Sequence, residues 1–341
     1  MDKIRIGILG LGHIGRVHIT ALQMLDDYQL VAVCDRLPDL EALAPPGVMY
    51  YTDFEQFLAE ADCDTVVVAT PNTTHYTFAR AVVQSGRNLI VEKPAASSEA
   101  ELNDLLRRAD QIGVHVYFAF HAAKAPEVLA LRRFLKDGVH RDYGPVTAFS
   151  SHFYDPNVVV GTPTRSAKSL EHCWYDSGIN ALTVLAELID VNSFQIRRTS
   201  MARYDRREPE VLQAAVFFSF TVANHGHGGF GVIDTNWTRN LNWKETELLF
   251  AETGVSLRLS HSEQRIYLCQ GEKESLLSDH ADGRERLINH YLGVFGDYVH
   301  ARRHNSYNRD LAMTCHSLLF SAMQRDREEY AQALTELRTT K

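Results

Sequence analysis

Hydrophobic positions fall into two rhythms along the chain. Up to about residue 120, near-continuous apolar runs of strand length recur at Ile4–Leu9, Leu30–Asp35, Val48–Tyr51, Thr65–Ala69, Asn88–Val91 and Val114–Phe120. Between most of them lie stretches of helical periodicity, at Ile14–Leu25, Phe54–Ala59, Thr74–Gln84 and Ser98–Ile112. Apolar strands separated by helices predict a parallel sheet covered on both faces. Ser98 and Glu101 are spaced as a capping box, and Gly86 and Gly113 stand where helices should stop.

Beyond residue 121 the rhythm changes. A helix over Pro126–Lys136, stopped by Gly138, leads to a strand at Val146–Tyr154, a loop, and a helix from about Ser177 to Leu188. From Phe194 to about Leu277 nearly everything reads as strand, with tight turns between. Sequential strands of this kind form an antiparallel sheet, which can leave one face open. Two helices, Glu285–Ala301 and Arg309–Met323, close the chain. The expected fold class is α/β: a doubly wound parallel sheet over residues 1–122, then an α+β domain with a large, mostly antiparallel, open-faced sheet over 123–341. The last helix is expected to pack back on the first domain.

Composition supports this division. The chain has 341 residues and is 45% hydrophobic, and chains beyond ~250–300 residues tend to split into domains. A net charge of −8 lacks the basic footprint of a nucleic-acid binder. No apolar stretch approaches the ~18–20 residues of a membrane span. The chain enters a strand almost at once, so no leader peptide is expected. Cys34, Cys63, Cys173, Cys269 and Cys315 are odd in number and far apart, which predicts reduced thiols and a cytoplasmic protein. No metal site is expected, and His225-Gly226-His227 reads as a hairpin turn.

Chemistry enters with Gly10-Leu11-Gly12-His13-Ile14-Gly15, which follows the first strand and opens the first helix. The glycines permit a tight turn and close approach of backbone to a pyrophosphate, and the helix N-terminus faces the phosphates. Asp35 lies 20 residues beyond Gly15, at the tip of the second strand. There an acid can hydrogen-bond a ribose 2′-hydroxyl and repel a 2′-phosphate. NAD is therefore expected, with NADP possible because Arg36 follows.

The apolar strand Asn88–Val91 ends in Glu92-Lys93-Pro94. Ligands of an open parallel sheet bind beyond the carboxyl ends of its strands. Lys93 is at such an end, as are Thr70-Pro71-Asn72 and His121. A lysine there can assist proton transfer from a substrate hydroxyl, with Glu92 orienting it. An ordinary ion pair at a strand end would look the same.

The glycine fingerprint, Thr70-Pro71-Asn72 with His75, and Glu92-Lys93-Pro94 together resemble the Gfo/Idh/MocA oxidoreductase family. The resemblance implies a Rossmann domain, an open-faced sheet domain and a catalytic role for Lys93. Asp176-Ser177-Gly178-Ile179-Asn180 resembles the family's second signature, Asp-x-Gly-x-His, with Asn180 replacing the histidine. An amide orients but cannot act as a base. This variant is similar to L-arabinose and D-galactose 1-dehydrogenases, which implies Lys93, Asp176 and Asn180 as the catalytic set. It also implies sugar contacts from His121 and from Trp237, and leaves Asp155 a candidate hydroxyl acceptor. His152, Tyr154, His172 and Trp174 are further candidates. Residues 155–172 do not resemble that subgroup's tryptophan-rich loop. The implied partners are a sugar or polyol and further copies of this chain, as a homodimer or homotetramer through the open sheet face.

Overall fold

The structure is a computed structural model. It describes residues 2–138, 142–159, 162–164, 170, 172–203, 211–222, 228–250, 252–304 and 306–339. In chain order the elements are β1 (Ile4–Leu9), α1 (His13–Gln23), β2 (Tyr28–Cys34), β3 (Met49–Tyr51), α2 (Phe54–Glu60), β4 (Thr65–Val68), α3 (His75–Gln84), β5 (Asn88–Val91), α4 (Glu99–Ile112), β6 (Val116–Phe118) and α5 (Pro126–Lys136). There follow β7 (Ala148–Tyr154), the short β8 (Val158–Val159) and β9 (Thr162–Pro163), and a π-helical turn over Trp174–Gly178 that runs into α6 (Ile179–Leu188). The long sheet strands come next: β10 (Gln195–Arg203), β11 (Val211–Thr221), β12 (Gly228–Asn236), β13 (Trp243–Phe250), β14 (Val255–Ser260), β15 (Arg265–Gln270) and β16 (Lys273–Asp279). Helices α7 (Arg286–His304) and α8 (Tyr307–Thr339) end the described chain.

The chain divides into two compact units. One holds Met1–Ala125 and Gly283–Met313, the other Pro126–Asp282 and Thr314–Lys341. In the first, six parallel strands take the order β3-β2-β1-β4-β5-β6. Strands β4 and β5 are buried almost end to end, as a doubly covered sheet requires. It is α7, the next-to-last helix, whose Tyr291, Val294, Phe295 and Tyr298 join the core formed by β1 and α1. These four recur at i, i+3, i+4 and i+7, a single helical face. Tyr28 fixes the contact by donating its O–H to the Phe295 carbonyl at 2.6 Å. The expected capping box is present: Ser98 Oγ accepts the Glu101 N–H, and Glu101 Oε2 accepts the Ser97 N–H.

The second unit carries an eight-stranded sheet in the order β10-β11-β12-β7-β13-β14-β15-β16, antiparallel except for the β12–β7 pair. Burial alternates along β11 and β13, so one face is covered and one open. Helices α5 and α6 pack on each other in this unit, joined by an ion pair at 2.7 Å between the half-buried Arg132 and the buried Glu187. The polar stripe Asp176, Asn180, Thr183, Glu187 reads from sequence as a solvent-facing stripe. All four are in fact buried, so α6 is enclosed on both sides.

Candidate active site

In the first unit the glycine loop is shaped by backbone contact. Gly10 has φ +98°, and a Cβ there would lie 2.6 Å from the Ala69 carbonyl oxygen. A Cβ on Gly15 would lie 1.9 Å from the Gly10 oxygen. Only glycine allows β1, β4 and α1 to approach in this way. Gly12 and His13 are exposed and Ile14 is half-buried. A Cβ on Gly12 would meet nothing within 4 Å, and no side chain caps α1. Its first-turn amides are therefore available to a phosphate. Asp35 accepts the Leu11 N–H on Oδ2 at 2.8 Å and the Leu37 N–H on Oδ1 at 3.1 Å. The carboxylate stays beside the glycine loop with lone pairs left for a ribose hydroxyl. Arg36 is exposed next to it. These residues fit a dinucleotide.

Beyond β4, Thr70 and Asn72 are half-buried and Pro71 is exposed. His75 ties this loop to the one after β5. Its Nε2 lies 2.7 Å from the Thr70 carbonyl and its Nδ1 2.8 Å from the Pro94 carbonyl. Burial pushes its pKa down, against the pull of the two carbonyls and Glu92. As a neutral ring it donates to one carbonyl at a time. Its place is structural support for the cofactor side, behind the exposed surface.

Lys93 is half-buried at the tip of β5. Glu92 does not reach out beside it. The Glu92 side chain turns inward, where Oε1 meets His18 Nε2 at 2.8 Å and accepts the Tyr291 O–H at 2.6 Å. His121, after β6, is buried with Nδ1 3.2 Å from His290 Nδ1, and its ring lies 5.5 Å from that of Tyr291. Lys93, Glu92, His121 and the glycine loop thus occupy one end of the parallel sheet.

In the second unit Trp174, Asp176 and Asn180 lie in or beside the π-helical turn. Gly178 is required there, since a Cβ would lie 2.6 Å from the fully buried Trp174 ring. Trp174 is a core residue, its indole N–H bonded to the Leu319 carbonyl at 3.0 Å. Asp176 and Asn180 are both buried, and Asn180 Nδ2 donates to the Asp176 carbonyl at 3.2 Å. Asn180 Oδ1 is buried with no hydrogen-bond partner among the described residues. Such a group calls for a ligand or water to satisfy it.

Asp155 is placed differently from the hydroxyl acceptor expected of it. Its Oδ2 accepts the Ser177 O–H at 2.9 Å, and its Oδ1 meets Lys244 Nζ at 2.5 Å. Lys244 is itself buried and also bonds Asn242 Oδ1 and the Tyr154 carbonyl. The pair braces the turn that carries Asp176. Trp237 is fully enclosed, so its ring has no exposed face for a sugar, and its Nε1 has no partner among the described residues. His152 and Tyr154 belong to the opposite, open face of the sheet. There Tyr154 donates to Asp234 at 2.5 Å and His152 stacks on Trp243 at 5.2 Å. His172 is buried and its pKa is pushed down to about 3, first by burial and then by Arg203 and Arg327. It remains neutral near pH 7. The 155–172 loop is described only in part, and His225-Gly226-His227 lies outside the described residues.

Ser177, Lys244, His18 and Tyr291 were not among the sequence candidates. Phase is the signal that marks them. Lys244 alternates with the buried Thr246, Leu248 and Phe250, while His18 shares a helical face with Ala21 and Leu22. A polar residue in phase with a core stripe is buried and must be paired.

The fold and the loop after β1 define an NAD-binding Rossmann unit. Residues 4–120 match the GFO_IDH_MocA family model, described as the oxidoreductase family with an NAD-binding Rossmann fold. Over that stretch the first unit is similar to the NAD-binding domain of this oxidoreductase family. Among curated relatives, the chain is 27% identical over 159 residues to a scyllo-inositol 2-dehydrogenase (NADP(+)) of Bacillus subtilis, 46% of this chain and 44% of that one. It is 30% identical over 136 residues to an inositol 2-dehydrogenase of Rhizobium meliloti, 40% of this chain and 41% of that one. The matched region thus spans less than half of these relatives. A solved structure of a putative myo-inositol dehydrogenase from Sinorhizobium meliloti superposes with TM-score 0.76 at 19% identity, covering 96% of this chain and 98% of that one. At that identity the likeness establishes the fold, second unit included.

The brace under the turn makes a testable statement. Asp155→Ala should destabilise the protein by about 3–5 kcal/mol, because it takes the Asp155 carboxylate away from the buried Lys244 ammonium. Pairing it with Lys244→Met should recover much of the loss. Urea unfolding of the two variants checks this, and a single variant as stable as the wild type refutes the brace.

Proposed function

We propose that the protein is an NAD(P)-dependent dehydrogenase of a sugar or cyclic polyol, and within that class an aldose 1-dehydrogenase yielding a lactone. The observation that carries the reading is Lys93, half-buried at the sheet end that also holds the glycine loop, on a strand tip anchored by Glu92. Bound NAD would accept hydride from the carbinol carbon. Lys93 takes up the hydroxyl proton. Asp176 and Asn180 hold the substrate's hydroxyls, with the unsatisfied Asn180 Oδ1 accepting from one of them. His121 assists at the sugar side of the first unit. The amide at Asn180, resembling the aldose 1-dehydrogenases, favours C1 of an aldose.

Oxidation of a ring hydroxyl is the second reading, favoured by the two inositol dehydrogenases among the relatives. A panel of aldoses and inositols, followed by absorbance of reduced nicotinamide, separates the two. Turnover of aldoses with lactone as product supports the first, turnover of inositols alone supports the second, and no turnover points to a dinucleotide-binding regulator.

Lys93→Ala should lower kcat on the best substrate by roughly 10²–10⁴ while NAD still binds. Near-normal turnover would leave Lys93 a surface cation. NAD should be preferred over NADP, since Asp35 opposes a 2′-phosphate, and Asp35→Ser should move the kcat/KM ratio toward NADP. A wild type that already prefers NADP defeats this assignment.

The open sheet face also carries Phe230 at 69% exposure, with Phe217 and Leu249 exposed near it. Phe230 pairs with Ala148, which pairs with Leu249 across β7, and Phe217 pairs with Val232. Such a patch fits a second copy of the chain. Phe230→Glu should shift the protein to monomer in sedimentation. A monomeric wild type overturns this.

A further inference from the structure

The carboxylate of Glu92 sits in the interior with a donor on every side. His18 Nε2 approaches Oε1 from α1 at 2.8 Å, and Tyr291 donates its O–H to the same oxygen from α7 at 2.6 Å. The Lys93 backbone N–H donates to Oε2 at 3.3 Å. The His18 and Tyr291 rings are in contact at 4.3 Å between centroids, and the His121 ring lies 5.5 Å from Tyr291 on the side that meets His290. One carboxylate therefore joins the helix that opens at the glycine loop, the strand tip bearing Lys93, and the helix returning from the chain's far end.

A buried carboxylate stays charged only when its oxygens are hydrogen-bonded. Burial works to raise the Glu92 pKa. The bond and charge of His18, the bond of Tyr291 and the charge of Lys93 outweigh it and hold the carboxyl below its ordinary range. The titratable groups facing this centre are His18 from α1, Tyr291 from α7, Lys93 on its own strand, and His75, which feels both Glu92 and Lys93. His121 and His290 stand behind Tyr291.

We propose that His18 and Tyr291 are positioning residues for Lys93. They hold Glu92 as an inward-facing carboxylate, which fixes the Lys93 backbone amide and places a fixed negative charge beside the lysine. Glu92 is thereby not a partner that reaches out to substrate or cofactor. The inference deepens the reading of Lys93 as the proton-transferring group and rests on it.

The test uses the full chain and two variants. Glu92→Gln keeps the size of the side chain and removes its charge. Tyr291→Phe keeps the ring against His18 and His121 and removes one donor. Competitive amine labelling over a pH series, read by mass spectrometry of the Lys93 peptide, reports the ionisation of Lys93 without need of turnover. The other lysines serve as internal standards. In Glu92→Gln the Lys93 midpoint should fall by on the order of one pH unit, since an opposite charge has been removed from its neighbourhood. In Tyr291→Phe, kcat should fall roughly 10–100-fold with KM for NAD unchanged, as expected when a reacting group is slightly misplaced. An unmoved Lys93 midpoint in folded Glu92→Gln overturns the proposal. So does a wild-type kcat in Tyr291→Phe, whatever happens to its thermal midpoint, and this arm decides alone if Glu92→Gln does not fold. A wild type that oxidises no sugar or polyol sinks the functional reading, and the labelling midpoint still decides the positioning.

Discussion

Three backbone segments of the first unit touch with no side chain between them. Ala69 at the end of β4 presses on Gly10, and the Gly10 carbonyl presses on Gly15 in the first turn of α1. One methyl group at either glycine would force the segments apart. Because they stay together, α1 begins tight against β1, and its uncapped first-turn amides face outward at the carboxyl end of the sheet. The same closeness brings the Thr70 loop, and through His75 the Pro94 loop, to that end. The anion-binding geometry and the packing of the sheet are one constraint, so a sequence that satisfies the second has already prepared the first.

The second unit solves a different problem. Its α6 helix is enclosed on both sides, so polar residues that would usually face water must be satisfied internally. Glu187 is met by Arg132, and Asp155 by Lys244 and Ser177. Each pair ties an element to the sheet or to a neighbouring helix. Asn180 stands apart, because its Oδ1 is buried and unmatched among the described residues. Where neighbouring polar groups are paired, an unpaired acceptor marks the place at which an outside group completes the set.

The first unit was largely legible because its signals are local. Apolar runs, helix stops and the glycine spacing each lie within a few residues, and the strands at Thr65–Val68 and Asn88–Val91 fall where the runs place them. The enclosed α6 was not legible, since its polar stripe looks the same whether it faces water or, as at Glu187, an Arg132 supplied from a neighbouring helix. The π-helical turn reads from sequence as ordinary loop and helix, because the packing of the Trp174 ring on Gly178 is a contact no periodicity reports. The inward turn of Glu92 was hidden for a similar reason. Its partners lie 74 and 199 residues away, and only their phase on α1 and α7 gives them away.

The placement of charge also limits where a neutral-range ionisation can arise. Around the π-helical turn, Asn180 cannot titrate, and His172 stays neutral until about pH 3. Asp155 is held by Lys244 and Ser177. With an amide at position 180, where the resembled signature has histidine, this position offers none of the charge change that a histidine ordinarily shows between pH 5 and 8. In the proposed reaction Asn180 would offer the substrate's hydroxyls hydrogen bonds of fixed protonation, without itself exchanging a proton.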